Sequence, residues 1–190
     1  MIASLSYKIC VLALTMLSCT PAHKPGAVLK VLSGYDKSSK GQPVTIVTTG
    51  KVTPAQLIAY AQTLKGITYK YGSTDPNIGF DCSGFITFVF NHFGVTVPRS
   101  SVDFTNVQHE IPVKDAKPGD LILYTGTDST KKVVGHMGII ETNNHGDITF
   151  IHSTSGKANG VTETPLNTYY QGRYMKTIRI FPENDATITH

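Results

Sequence analysis

A change of hydrophobic period at Pro118-Gly119 sets the architecture available to this chain. Upstream, Leu57, Ile58, Ala61 and Leu64, and later Phe85, Phe88, Val89 and Phe93, recur at helical spacing. Downstream, short β-prone runs at 120–124, 133–141, 148–152 and 174–181 are separated by Gly, Asn, Asp and Ser clusters. Helices first and strands second is an α+β order. The first helix is expected to start at Thr53-Pro54, a capping hydroxyl followed by Pro, and to close at Gly66. The second runs from Cys82 to a stop at Gly94, and a short helix at 101–107 follows Pro98.

With 190 residues, the chain has room for one such domain and a leader. Lys8 precedes an apolar run, Ile9 to Leu17, too short to span a bilayer, which reads as a signal peptide over 1–19. It ends in Leu17-Ser18-Cys19, similar to a bacterial lipobox, so Cys19 is expected to be acylated; the alternative is a secretory signal cut near Ala22. Residues 20–51, rich in Pro, Gly, Ser and Lys, read as a tether with a hairpin from the runs 27–32 and 44–48. The folded domain is expected over 52–182 and a tail over 183–190. The net charge of +4 comes from mostly singly spread Lys and Arg, which gives no stripe for nucleic acid.

Cysteine counting points to chemistry. Cys10 lies in the leader and Cys19 would carry lipid, so Cys82 is the one thiol left in an exported domain, where structural cysteines come in pairs. At the first turn of a helix, free N–H groups and the macrodipole favour a thiolate, so an accessible and acidic thiol is expected. A thiol nucleophile needs a base that later protonates the leaving amine. Of seven histidines, His136 and His152 lie in apolar β-prone contexts, where adjacent strands could join their rings or merely bury them. His23 and His190 are terminal, His92 and His109 have polar flanks, and His145 sits in a turn.

Tyr69-Lys70-Tyr71-Gly72, Phe80-Asp81-Cys82-Ser83-Gly84-Phe85, Pro98-Arg99-Ser100-Ser101, Lys117-Pro118-Gly119-Asp120-Leu121 and Gly135-His136-Met137-Gly138-Ile139 occur in one order, and together they resemble the NlpC-type cell-wall peptidase family over 53–181. The resemblance implies a papain-like α+β domain with N-terminal helices packed on an antiparallel sheet. It also implies hydrolysis of peptidoglycan stem peptides, commonly between D-glutamate, through its side-chain carboxyl, and a diamino acid, or at a cross-link. By that likeness Cys82 is the nucleophile, His136 the base and His152 its orienting partner. Tyr69 matches a tyrosine beside the reacting carbonyl, while Asp81 and Ser83 match positions that meet the substrate's free amino end. Tyr69 as a packed aromatic and Asp81 as a helix cap are the alternatives. Neither a metal nor a cofactor is implied.

Three other readings share these residues. A papain-like amidase, transpeptidase or acyl transferase uses the same acyl-enzyme. A silent wall-binding lipoprotein would have no chemical need of Cys82, His136 and His152 together, and a zinc site from those three lacks the short ligand pairs usual for structural zinc. The expected setting is an outer-membrane lipoprotein facing the periplasm, or else a secreted or other envelope protein, monomeric and partnered by peptidoglycan stems and by the membrane through its lipid.

Overall fold

The computed structural model describes residues 44–185. The expected signal peptide, Cys19, the run at 27–32 and residues 186–190 lie outside the described residues. Helix α1 (Pro54–Thr63) opens with a capping box in which Thr53 and Gln56 bond each other's backbone, and its chain turns at Gly66 with φ +86°. The ribbon β1 (Thr74–Asp75) and β2 (Gly79–Phe80) leads into helix α2 (Cys82–His92). The short helix expected next is a 3₁₀ segment, Ser101–Asn106.

Strands β3 (His109–Ile111), β4 (Leu121–Thr125), β5 (Val134–Asn144), β6 (Asp147–Thr154), β7 (Gly160–Pro165) and β8 (Tyr174–Arg179) form one antiparallel sheet in the order β3-β8-β4-β5-β6-β7. A four-residue helix, α3 (Thr168–Gln171), joins β7 to β8. Strands β3 and β7 were not expected, because neither carries an apolar alternation. The α+β reading with helices on an antiparallel sheet is the observed fold.

Both faces of the sheet are covered, which explains the unbroken apolar run of β4. Leu121 and Leu123 belong to a cluster with Phe85, Ile86, Val89 and Phe90 of α2, while Ile122 and Tyr124 join Ile140, Phe150 and Tyr170 on the other face. Those four α2 side chains have no solvent exposure. Each stabilises the fold by roughly 1.5–3 kcal/mol relative to exposure, so α2 is held by its packing on β5 and β6. Val44 and Val47 are buried as well, and Thr45 bridges Val107, so this stretch of the expected tether lies on the domain. Its hairpin partner falls outside the described residues.

Candidate active site

Asp81 caps α2, accepting from the Gly84 backbone N–H at 2.5 Å, and so leaves the N–H groups of Cys82 and Ser83 free at the first turn. Gly84 is required there, because a side chain would collide with the Ser73 carbonyl oxygen. The Cys82 sulfur sits 3.9 Å from the Gly135 carbonyl oxygen, where β5 begins. Cys82, Tyr69, Gly135 and His136 share one cleft of about 1000 Å³ that Thr164, Tyr170 and Arg173 also line.

The two histidines occupy the sheet face opposite α2, among the rings of Tyr124, Phe150 and Tyr170. Of the two, His136 lines the cleft together with Cys82, next to the Gly135 carbonyl that the sulfur faces. His136 Nε2 lies 2.8 Å from His152 Nδ1, and His152 Nε2 lies 2.9 Å from the Thr164 hydroxyl. Gly138 makes this approach possible: two residues after His136 on the same face, a Cβ there would come within 2.6 Å of the Phe150 ring and 3.2 Å of His152 Cβ. The spacing His-x-Gly thus has a packing reason.

Two sets of tautomers satisfy the chain of bonds, because the Thr164 hydroxyl can donate as well as accept. In one of them His136 donates from Nε2 to His152 Nδ1 and His152 donates from Nε2 to Thr164, which leaves His136 Nδ1 unprotonated. Burial, with the charges of His152 and Arg173 next, holds His136 well below the usual imidazole range. Burial, then Arg173, pushes His152 down to about 3. Both rings are therefore neutral, as this tautomer set requires.

The expectation of an acidic, accessible thiol is reversed. Cys82 is 8% exposed, and burial followed by the Asp81 carboxylate pushes it up to about 11, against the lowering effect of the N–H groups of Ser83, Cys82 and Met137. Arg99 grips both Asp81 carboxylate oxygens, at 3.1 and 2.8 Å. The cleft thus holds a thiol and a neutral imidazole.

Tyr69 is half-buried beside the sulfur, held through its backbone N–H on the Asn159 carbonyl, and its hydroxyl is raised by burial and then by Cys82. Asp81 and Ser83 lie elsewhere. The Asp81 oxygens are occupied by Gly84, Arg99 and Ser83, Ser83 also accepts from Arg99 at 3.1 Å, and neither residue lines the cleft. Sequence reasoning missed Thr164 and Arg173: Thr164 sits on an unrecognised strand, and a single Arg in a polar stretch gives no signal. Among the described residues no group of three His, Cys, Asp or Glu side chains is arranged to hold a metal ion.

A family model described as the NlpC/P60 family matches residues 66–179, more than half of the chain. The gamma-DL-glutamyl hydrolase of Bacillus subtilis is 31% identical over 142 residues, covering 72% of this chain and 33% of that protein. The peptidoglycan endopeptidase RipB of Mycobacterium tuberculosis is 34% identical over 103 residues, covering 54% of this chain and 39% of its own length. Thus the chain spans a third to two fifths of these relatives. Among solved structures, an NlpC/P60 family protein from Bacillus cereus is 27% identical with a TM-score of 0.62, over 70% of this chain and 42% of that one.

Proposed function

Since this chain belongs to the NlpC/P60 family, we propose that it is a cysteine endopeptidase cutting peptidoglycan stem peptides, with Cys82 as nucleophile, His136 as base and His152 as its orienting partner. The observation that carries the reading is the 2.8 Å contact between His136 Nε2 and His152 Nδ1, made behind a cleft that His136 lines together with Cys82.

The chemistry follows from that arrangement. His136 Nδ1 takes the Cys82 proton as sulfur attacks the scissile carbonyl, and the Nε2–H bond to His152 strengthens as imidazolium forms. The free first-turn N–H groups and the Tyr69 hydroxyl are the donors within reach of the developing oxyanion. Imidazolium then protonates the leaving amine, and water activated by the same ring releases the acyl group from sulfur.

The bond we assign joins the side-chain carboxyl of D-glutamate to the following diamino acid, with a cross-link as the alternative; the name of the Bacillus subtilis relative supports the first. Asp81 and Ser83 act in this reading through the α2 start and not by touching substrate, because their polar atoms are already engaged. We assign the setting as the outer membrane, facing the periplasm, by lipid on Cys19. Mass spectrometry of purified peptidoglycan treated with the protein tests the function: new amino termini on the diamino acid support it, and intact stems with altered glycan strands would overturn it.

A further inference from the structure

Arg173 follows α3 and is 8% exposed, yet it lines the cleft with Cys82 and His136. Its Nε donates to the Gly126 carbonyl at 3.1 Å, Nη1 to the Tyr169 hydroxyl at 2.6 Å, and Nη2 to the Thr125 carbonyl at 2.8 Å. Its guanidinium carbon lies 5.0 Å from the Tyr169 ring centre and 5.8 Å from that of Tyr170. Every one of these partners is neutral. The contrast with the other arginines is plain: Arg179 pairs with Asp120 and Asp185, and Arg99 pairs with Asp81, whereas among the described residues no carboxylate lies within ion-pair distance of Arg173.

A buried cation without a counter-ion is costly, and carbonyls and rings offset only part of that cost. Two of its five N–H groups have no partner among the described residues. The remaining charge along the cleft has the same sign, since Lys157 is the other ionised group of the lining and neither Asp nor Glu contributes. The cleft is therefore electrostatically incomplete and complementary to an anion. A stem cut after side-chain-linked D-glutamate supplies one. Linkage through the side chain leaves the α-carboxyl free, two methylenes and the α-carbon away from the scissile carbonyl.

We propose that Arg173 is a specificity-determining residue that receives a free carboxylate of the stem peptide beside the bond to be cut. This rests on the peptidase reading above and gives it a substrate class, anionic peptides in which the carboxyl next to the scissile amide is not amidated. The Tyr169 and Tyr170 rings hold the guanidinium plane, and the two backbone carbonyls hold its position, so the fork is set before substrate arrives. The same uncompensated charge contributes to keeping both histidines neutral.

The test compares matched tripeptides, L-Ala-γ-D-Glu-diamino acid, with the glutamate α-carboxyl free or as the carboxamide, and with the diamino-acid carboxyls varied likewise. The full protein is expected to prefer one acid form over its amide by about 10- to 100-fold in kcat/KM, the range for a charge-assisted hydrogen bond closed off from water. Arg173→Gln should abolish that ratio, and Arg173→Lys should keep part of it. Because each ratio is taken within one protein, a lower folded fraction does not change it. Equal cleavage of acids and amides by the unmutated protein overturns the proposal while leaving the peptidase reading intact, as does a preference that survives in Arg173→Gln. Failure to cut any of the peptides, together with inactivity on whole peptidoglycan, overturns both.

Discussion

Replacing His152 tests the site most sharply, because this residue has no solvent exposure and ties His136 to Thr164. His152→Ala removes the acceptor at 2.8 Å from His136 Nε2 and leaves a buried N–H unpaired. That costs about 1–3 kcal/mol, and the vacated imidazole volume adds a cavity cost of about 2 kcal/mol or more, so unfolding by denaturant should occur distinctly earlier. With His136 as the base proposed above, its ring is charged in the transition state, and the missing bond is worth about 1.5–3 kcal/mol, or about 10- to 150-fold in kcat. His152→Asn and His152→Gln restore an acceptor and should fall within about tenfold of the parent, since only the alignment of the bond changes. Steady-state cleavage of a stem tripeptide, on variants checked by circular dichroism, reads both quantities. A folded His152→Ala with unchanged kcat, or a folded His152→Asn as inert as Cys82→Ala, would refute the reasoning.

Alkylation of Cys82 by iodoacetamide, followed at its own peptide by mass spectrometry, should be slow at pH 6 and still climbing at pH 9, because burial pushes the thiol up to about 11; a plateau below pH 7 would show a preformed thiolate. Stability should fall on acidification below the unfolded imidazole pKa: both histidines are held down in the fold, so the unfolded chain takes up protons that the native one refuses. Between pH 7 and pH 5 the two together account for up to about 4 kcal/mol, measurable by urea titration, and His152→Asn should remove about half of that slope. His136→Ala and Cys82→Ala should each abolish cleavage, and the double variant should lose no more than either, since both disable one unit; additive losses measured in single-turnover assays would separate their roles. Cys19→Ala should move the protein from the detergent to the aqueous phase on partition, and a parent protein already aqueous would dismiss the lipid anchor.

Several elements were legible before any coordinates because their causes are local. The Thr53-Pro54 start and the Gly66 stop of α1, and the Asp81 cap and Gly94 stop of α2, follow from the hydrogen-bonding needs of helix ends and from positive φ at glycine. The change to strands after Pro118-Gly119 also held, because short β-prone runs bounded by turn residues are written in the chain. Strands β3 and β7 escaped notice, since polar edge strands form by pairing with a neighbour that the linear sequence does not display. Thr164 was lost with β7, although it ends the hydrogen-bonded chain from His136.

From the sequence alone come the α+β class, a lone thiol at a helix start and two histidines in apolar strand contexts, because these depend on residue type and spacing. Tertiary structure decided the rest. It put the histidines on the sheet face away from α2 and brought His136 into one cleft with Cys82. It engaged Asp81 with Arg99, left Arg173 without a carboxylate, and buried the sulfur so that desolvation outweighs the helix terminus. Desolvation and charge pairing depend on which groups from distant segments surround an atom, and no local pattern contains that information.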